Sequence, residues 1–187
     1  MKNYAEIAER KGIEGEERFG RFCKQITSVH PEVKFYRNLL VPTRSRNTAT
    51  EIDVVCSLPQ GIYSIEYKEW DSEYIVPYDL TQKHWAVYRK CMNKTFLFLS
   101  PYIQNKTHCE SLKEELGVDV HNIIVIPDHC PLKFPDGRKV SGPDHKCIMN
   151  YNTFYYFLRE QLEKEPIFSK ETLDKINNTL FELTLHF

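Results

Sequence analysis

The stretch T-E-I-D-V-V-C-S-L-P-Q-G-I-Y-S-I-E-Y-K, residues 50–68, decides how this chain is read. Two runs rich in β-branched and aromatic residues, 50–57 and 62–68, flank Leu58-Pro59-Gln60-Gly61, the pattern of a β-hairpin. Side chains alternate faces along a strand, so Glu51, Asp53, Val55 and Ser57 share one face of the first strand. Ile62, Ser64, Glu66 and Lys68 share one face of the second. A connection of residues 58–61 pairs Ser57 with Ile62, and by continuation sets Asp53 opposite Glu66 and Glu51 opposite Lys68. Opposed side chains have Cβ atoms about 4.5–5.5 Å apart, where like charges destabilise. A hard cation between the two carboxylates reverses that penalty. All-oxygen coordination suits Mg²⁺ or Mn²⁺, which take one or two carboxylates and keep several waters. Lys68, on the face of Glu66, is suited to holding an attacking water or stabilising phosphoryl charge. The plainer reading is surface charge with one lysine, where pairing contributes little.

Outward from the hairpin, residues 3–29 read as a helix broken near Gly12 and Gly15, with Phe19, Phe22, Cys23 and Ile26 forming an amphipathic stripe. Glu16, three before Phe19 and seven before Cys23, falls on that inward stripe, where an unpaired charge is costly. Residues 33–42 read as a strand closed by Pro42, and 81–93, with Trp85 and Tyr88, as helix-like. Ser100-Pro101 starts a helix that stops at Gly117, and 122–126 is a short buried strand. Residues 127–147 are loop-rich, and helices follow at 152–164 and 169–185, capped by Asn152 and Ser169. This order predicts one mixed α/β domain over residues 1–187, with a central mixed sheet flanked by helices.

Composition narrows the function classes. The chain has 187 residues, 41% hydrophobic and 27% charged, which excludes disorder as the dominant state. A net charge of −1 argues against a generically basic nucleic-acid coat. The distribution says more than the sum. Residues 1–50 carry ten bases and six acids, 51–80 seven acids and one base, 81–150 ten bases and seven acids, and 151–187 four bases and six acids. An acidic island thus lies between two basic segments. No apolar run nears the roughly 18 residues that span a bilayer, no secretory leader is visible, and six cysteines are too sparse for a disulfide scaffold. A cytoplasmic protein with reduced thiols and no membrane partner is expected.

Pro127-Asp-His-Cys130 and Pro143-Asp-His-Lys-Cys147 echo each other, and His129, Cys130, His145 and Cys147 are of the types that ligate zinc. Adjacent His-Cys pairs seldom serve one ion, so two joined loops with ordinary thiols are favoured. Cys91 and Cys109 read as helix packing residues, and His84, His108 and His186 lack partners that suggest catalysis. No phosphate-binding Gly-rich loop, G-x-S-x-G elbow or Cys/His nucleophile pattern is present.

The strings G-I-E-G-E-E-R-F at 12–19, T-E-I-D-V-V at 50–55 and G-I-Y-S-I-E-Y-K at 61–68 resemble the NERD (nuclease-related) domain family of the PD-(D/E)XK nuclease superfamily. Trp85, S-P-Y-I-Q-N-K-T-H-C-E-S-L at 100–112 and F-S-K-E-T-L-D-K-I at 168–176 extend the likeness to about residues 12–185. The resemblance implies a restriction-endonuclease-like fold. It implies Asp53 and Glu66 as metal ligands, Lys68 as catalytic lysine, Glu16 as a helix-borne acid aiding metal or water, and Gln104 as a further site residue. Glu69-Trp70-Asp71-Ser72 departs from the family's Asn-Trp-x-Gly, and Ser100 from its Asn, which bears on loop geometry more than on chemistry.

The expectation is therefore a Mg²⁺- or Mn²⁺-dependent nuclease cutting nucleic acid, with DNA favoured, in which Arg44, Arg46, Lys83, Arg89, Lys90 and Lys94 contact phosphates. A protein partner or a homodimer is compatible with it. The alternative is a non-catalytic nucleic-acid- or protein-binding module on the same fold.

Overall fold

The computed structural model describes residues 4–43, 48–69, 73–75, 79–89, 92–130, 132–133 and 147–184. It is mixed α/β. A five-stranded sheet is built from β1 (Lys34–Pro42), β2 (Ala49–Leu58), β3 (Gly61–Tyr67), β7 (Val120–Val125) and β9 (Ile148–Met149), side by side in that order. The β1, β2 and β3 pairings are antiparallel, whereas β3, β7 and β9 run parallel. A smaller sheet has the order β6-β5-β4-β8, from Lys94–Leu99, His84–Arg89, Glu73–Ile75 and Leu132–Lys133.

Helices cover both faces of the main sheet. On one face, Phe19, Cys23 and Ile26 of α1 (Tyr4–Val29) and Phe154 and Leu158 of α3 (Tyr151–Leu162) pack on Val54, Cys56, Tyr63, Ile65 and Tyr67. On the other, Leu112 of α2 (Pro101–Leu116) and Ile176, Leu180 and Leu183 of α4 (Lys170–Thr184) pack on Leu39, Ile52, Val55 and Ile62. Trp85 and Val87 join the small sheet to Ile124, Ile126 and Ile148 of the large one. Among the described residues, no helix is long and apolar enough to cross a membrane.

The hairpin has the expected register, Ser57 with Ile62, and gains one more pair, Leu58 with Gly61, so the turn is only Pro59-Gln60. Its tip is held by the α3–α4 connection. Pro59 O accepts the N–H groups of Ile167 and Phe168 at 3.0 and 3.1 Å, and Gln60 Nε2 donates to Lys164 O at 3.0 Å.

At the far end the ladder departs from expectation. Pairing of β1 with β2 passes from Arg37–Val54 to Leu39–Ile52 and skips Asn38 and Asp53. Asn38 lies at φ 55°, a left-handed conformation that Asn tolerates better than most residues. The alternation slips there: Val55 and Ile52, three apart, both join the α2/α4 core, and so do Tyr36 and Leu39. Glu51, Asp53, Val55 and Ser57 therefore do not share a continuous face. The β2–β3 pairing also ends at Val54–Ile65, so Glu51 is not paired with Lys68.

Three further expectations are corrected. Residues 81–93 contain strand β5, not helix. Trp85 and Val87 are buried while His84 and Ala86 are less so, a period of two that the three-residue Trp85–Tyr88 spacing conceals. The α1 helix runs unbroken past Gly12 and Gly15. The cap of α3 is Asn150, whose side chain accepts Thr153 N–H, rather than Asn152. At α2 the expected signals hold: Ser100 accepts Ile103 N–H, and Gly117 at φ 69° closes the helix by donating to Lys113 O.

Helix α2 is fastened by Asn105. Its side chain, fully buried, donates to Ser64 O, Asn122 Oδ1 and Ile123 O and accepts from Ser64 Oγ at 2.6 Å. Replacing Asn105 by Ala strands these groups, and buried unpaired polar atoms cost about 1–3 kcal/mol each. Urea denaturation of Asn105→Ala is expected to show a stability loss of about 2–4 kcal/mol with an unchanged m value.

Candidate active site

The centre of the site is a carboxylate that the fold removes from water. Glu66, near the end of β3, is 0% exposed and follows Ser64 on the α2 side of the sheet. Its Oε1 lies 2.5 Å from Lys68 Nζ, and its Oε2 lies 3.5 Å from Nδ1 of His108 on α2. Neither oxygen receives a well-aligned hydrogen bond from a described residue. Burial pushes the Glu66 pKa up to about 7; the nearby Asp53 charge adds to that shift and Lys68 opposes it.

Asp53 occupies the slip in the ladder. Its Oδ2 accepts the Tyr67 N–H at 3.1 Å, so the carboxylate substitutes for the strand partner that β3 loses beyond Ile65. Its charge is felt by both Glu66 and Glu16. Glu16 lies at the exposed rim of the α1 stripe, not within it. With Arg37, Asn38, Glu51, Asp53 and Tyr67 it lines a small cleft of 30 Å³. Partial burial and then Asp53 raise the Glu16 pKa, while Arg37 lowers it.

Lys68 is half-buried, and its backbone N–H donates to Val125 O at 3.1 Å, which extends the β3–β7 pairing and fixes its position. Beside it opens a cavity of 170 Å³ lined by Trp85, Val87, Phe98, Leu99, Pro101 and Gln104. Gln104, a residue of α2, thus lines the same cavity as the lysine.

His108 was not expected here. It is buried one helical turn after Gln104, and burial holds its pKa below the ordinary value, so the imidazole is neutral. Its Nδ1 faces Glu66 Oε2 at 3.5 Å without an aligned hydrogen bond. The Gln104–His108 spacing of four on one helix was the available signal.

A second polar cluster borders the first. Tyr67 OH and Arg18 donate to Glu69, Tyr151 OH donates to Tyr67 OH at 2.9 Å, and His129 Nε2 stands 3.4 Å from Glu69 Oε1. His129 is therefore engaged by a carboxylate, Cys130 is buried in the core between the sheets, and burial raises the Cys147 thiol pKa to about 11. His145 lies outside the described residues, as do Arg44, Arg46 and Lys90. Of the other expected phosphate contacts, Lys83 and Lys94 are exposed and the Arg89 guanidinium sits 5.2 Å from the Phe96 ring centre. None of the three lines the cavities beside the carboxylates.

Among the described residues, no group of three or more His, Cys, Asp or Glu side chains is gathered closely enough to hold a metal ion. Asp53 and Glu66 supply two carboxylates whose charges interact, with Lys68 paired to Glu66. That donor set suits Mg²⁺ or Mn²⁺, which complete their shells with water and substrate oxygen.

A family model described as the nuclease-related domain, NERD, matches residues 11–127. The match takes in Glu16, Asp53, Glu66, Lys68, Gln104 and His108 and ends short of residue 185. No curated protein and no solved structure matches the chain.

Because the folded pKa of Glu66 is raised, its neutral form favours the fold. That contribution is complete below about pH 4.5 and is lost as pH rises through about 7. In metal-free buffer, Glu66→Gln is expected to match the wild type in stability at pH 4.5 and to exceed it at pH 8 by about 2 kcal/mol or more. Thermal unfolding followed by circular dichroism at both pH values measures the difference.

Proposed function

The chain belongs to the nuclease-related domain (NERD) family, and on that premise we propose that it is a metal-dependent nuclease hydrolysing phosphodiester bonds, with DNA the favoured substrate. The observation that carries this reading is the buried Glu66 carboxylate, ion-paired with Lys68 and within the field of Asp53. A structural salt bridge has little use for a second carboxylate near it. A cation site does.

In this reading Asp53 and Glu66 hold Mg²⁺ or Mn²⁺, which when bound polarises a phosphoryl oxygen and lowers the pKa of water. Lys68 places its ammonium beside the reacting phosphate and neutralises charge that grows on its oxygens. Glu16, with a raised pKa at the cleft rim, accepts a proton from the attacking water. His108 orients the Glu66 carboxylate from behind, and Gln104, lining the cavity next to Lys68, offers an amide to the sugar or base. DNA is favoured by the resemblance and not by any feature of the cleft that reads a 2′-hydroxyl.

The test is cleavage of single- and double-stranded DNA and RNA with Mg²⁺, Mn²⁺ or EDTA. Wild type is expected to cut only with metal, and Asp53→Asn and Lys68→Met to lose activity by at least ~10²-fold. A wild type inert on every substrate, or variants that cut equally well, identifies a binding module on a nuclease fold instead.

A further inference from the structure

Helix α1 and strand β1 line a groove of 580 Å³. Three cations, Lys24, Lys34 and Arg37, line it, and among the described residues no carboxylate does. Arg37 lines both this groove and the acidic cleft that contains Glu16 and Asp53, so its side chain borders both. We propose that this groove is the track for the phosphodiester backbone of a nucleic-acid strand, leading it to the carboxylates. The proposal rests on the nuclease reading and adds a binding surface to it.

Charge and position both support the assignment. Residues 1–50 carry four more bases than acids, and the groove gathers part of that excess from two consecutive elements. Lone solvated lysines would be spread around the surface. Here three cations share one concavity, where their potentials add and attract a polyanion.

Arg37 is held in place before any ligand arrives. Its Nη2 donates to Glu16 O at 3.1 Å, and the guanidinium lies against Gly20. A Cβ at position 20 would come within 2.4 Å of Arg37 Nη1, so only glycine lets the guanidinium lie so close to the helix. An arginine fixed by one bond keeps other N–H groups for phosphate, whose geometry suits its planar fork. Glu16, Gly20 and Lys24 stand four apart on a single stripe of α1. At 1.5 Å per residue the stripe spans about 12 Å from acid to lysine. The order along the helix puts the acid at the reacting end and the cations on the flanking nucleotides.

The contacts are to phosphate, so they strengthen binding without selecting sequence. Each lost cation should therefore lower the dependence of affinity on salt. The experiment is fluorescence anisotropy of a labelled oligonucleotide in EDTA, which prevents cleavage, over a series of salt concentrations. Lys24→Ala/Lys34→Ala is compared with wild type, with Gly20→Ala, and with Lys170→Ala as a charge control on α4. The double variant is expected to bind about 10-fold or more weakly and to lower the slope of log K against log salt by about 1.5–2. Gly20→Ala should weaken binding with all lysines in place, and Lys170→Ala should leave affinity and slope unchanged. Unchanged slopes in the double variant, with melting temperatures equal to wild type, overturn the proposal and leave the nuclease reading standing. So does a slope lowered equally by Lys170→Ala. Absence of binding by the wild type overturns the groove outright. Binding through the groove without cleavage in Mg²⁺ or Mn²⁺ supports the groove and defeats the nuclease reading.

Discussion

The site depends on keeping one charge out of water. Glu66 sits fully buried in the main sheet beside α2, and an isolated carboxylate there would cost more than most single contacts return. Lys68 offsets part of that cost from two residues away on the same strand. His108 faces the other oxygen from α2, and α2 is in turn held on the sheet by Asn105. The opposing charges differ in burial: Lys68 reaches solvent while Glu66 does not. The pair is therefore asymmetric, and burial raises the pKa of the acid.

The second constraint is the slip at Asn38 and Asp53. An uninterrupted strand would send Asp53 to one face and bond its backbone into both ladders. The left-handed turn at Asn38 lets Ile52 and Leu39 enter the same core as Val55 and frees Asp53 from pairing with β1. Its carboxylate then caps the Tyr67 N–H that β2 no longer reaches. Tyr67 is also the centre of the aromatic packing that seats α1: its ring stacks on Phe19 at 4.8 Å, and Phe22 stacks on Tyr151 at 4.7 Å. The packing that orients Glu16 is thus anchored to the residue that Asp53 caps.

What was legible in the sequence follows from the range of the interactions. The hairpin register was legible because a short turn and two alternating runs leave few ways to pair. The helix ends at Ser100 and Gly117 were legible because caps act within four residues. The slip was hidden, since nothing in R-N-L at 37–39 distinguishes a left-handed Asn from an ordinary strand residue. The β5–β6 hairpin was hidden by the Trp85–Tyr88 spacing, which fits a helix as well as a strand. The roles of His108 and Arg37 were hidden for another reason: their partners, Glu66 and Gly20, come from other elements, and only packing brings them together.

The clamp on the Pro59-Gln60 turn bears on when the site comes into being. The hairpin that carries Asp53, Glu66 and Lys68 is local, yet its tip is tied to backbone groups of residues 164–168, about a hundred positions later. The α2/α4 core beneath Ile52 and Val55 is likewise closed by Ile176, Leu180 and Leu183. During synthesis the carboxylates therefore emerge well before the segments that lock their strands. A chain arrested after β7 would hold every candidate site residue without the clamp that steadies them. The strands that carry the candidate site residues are therefore locked in place only when the last two helices dock.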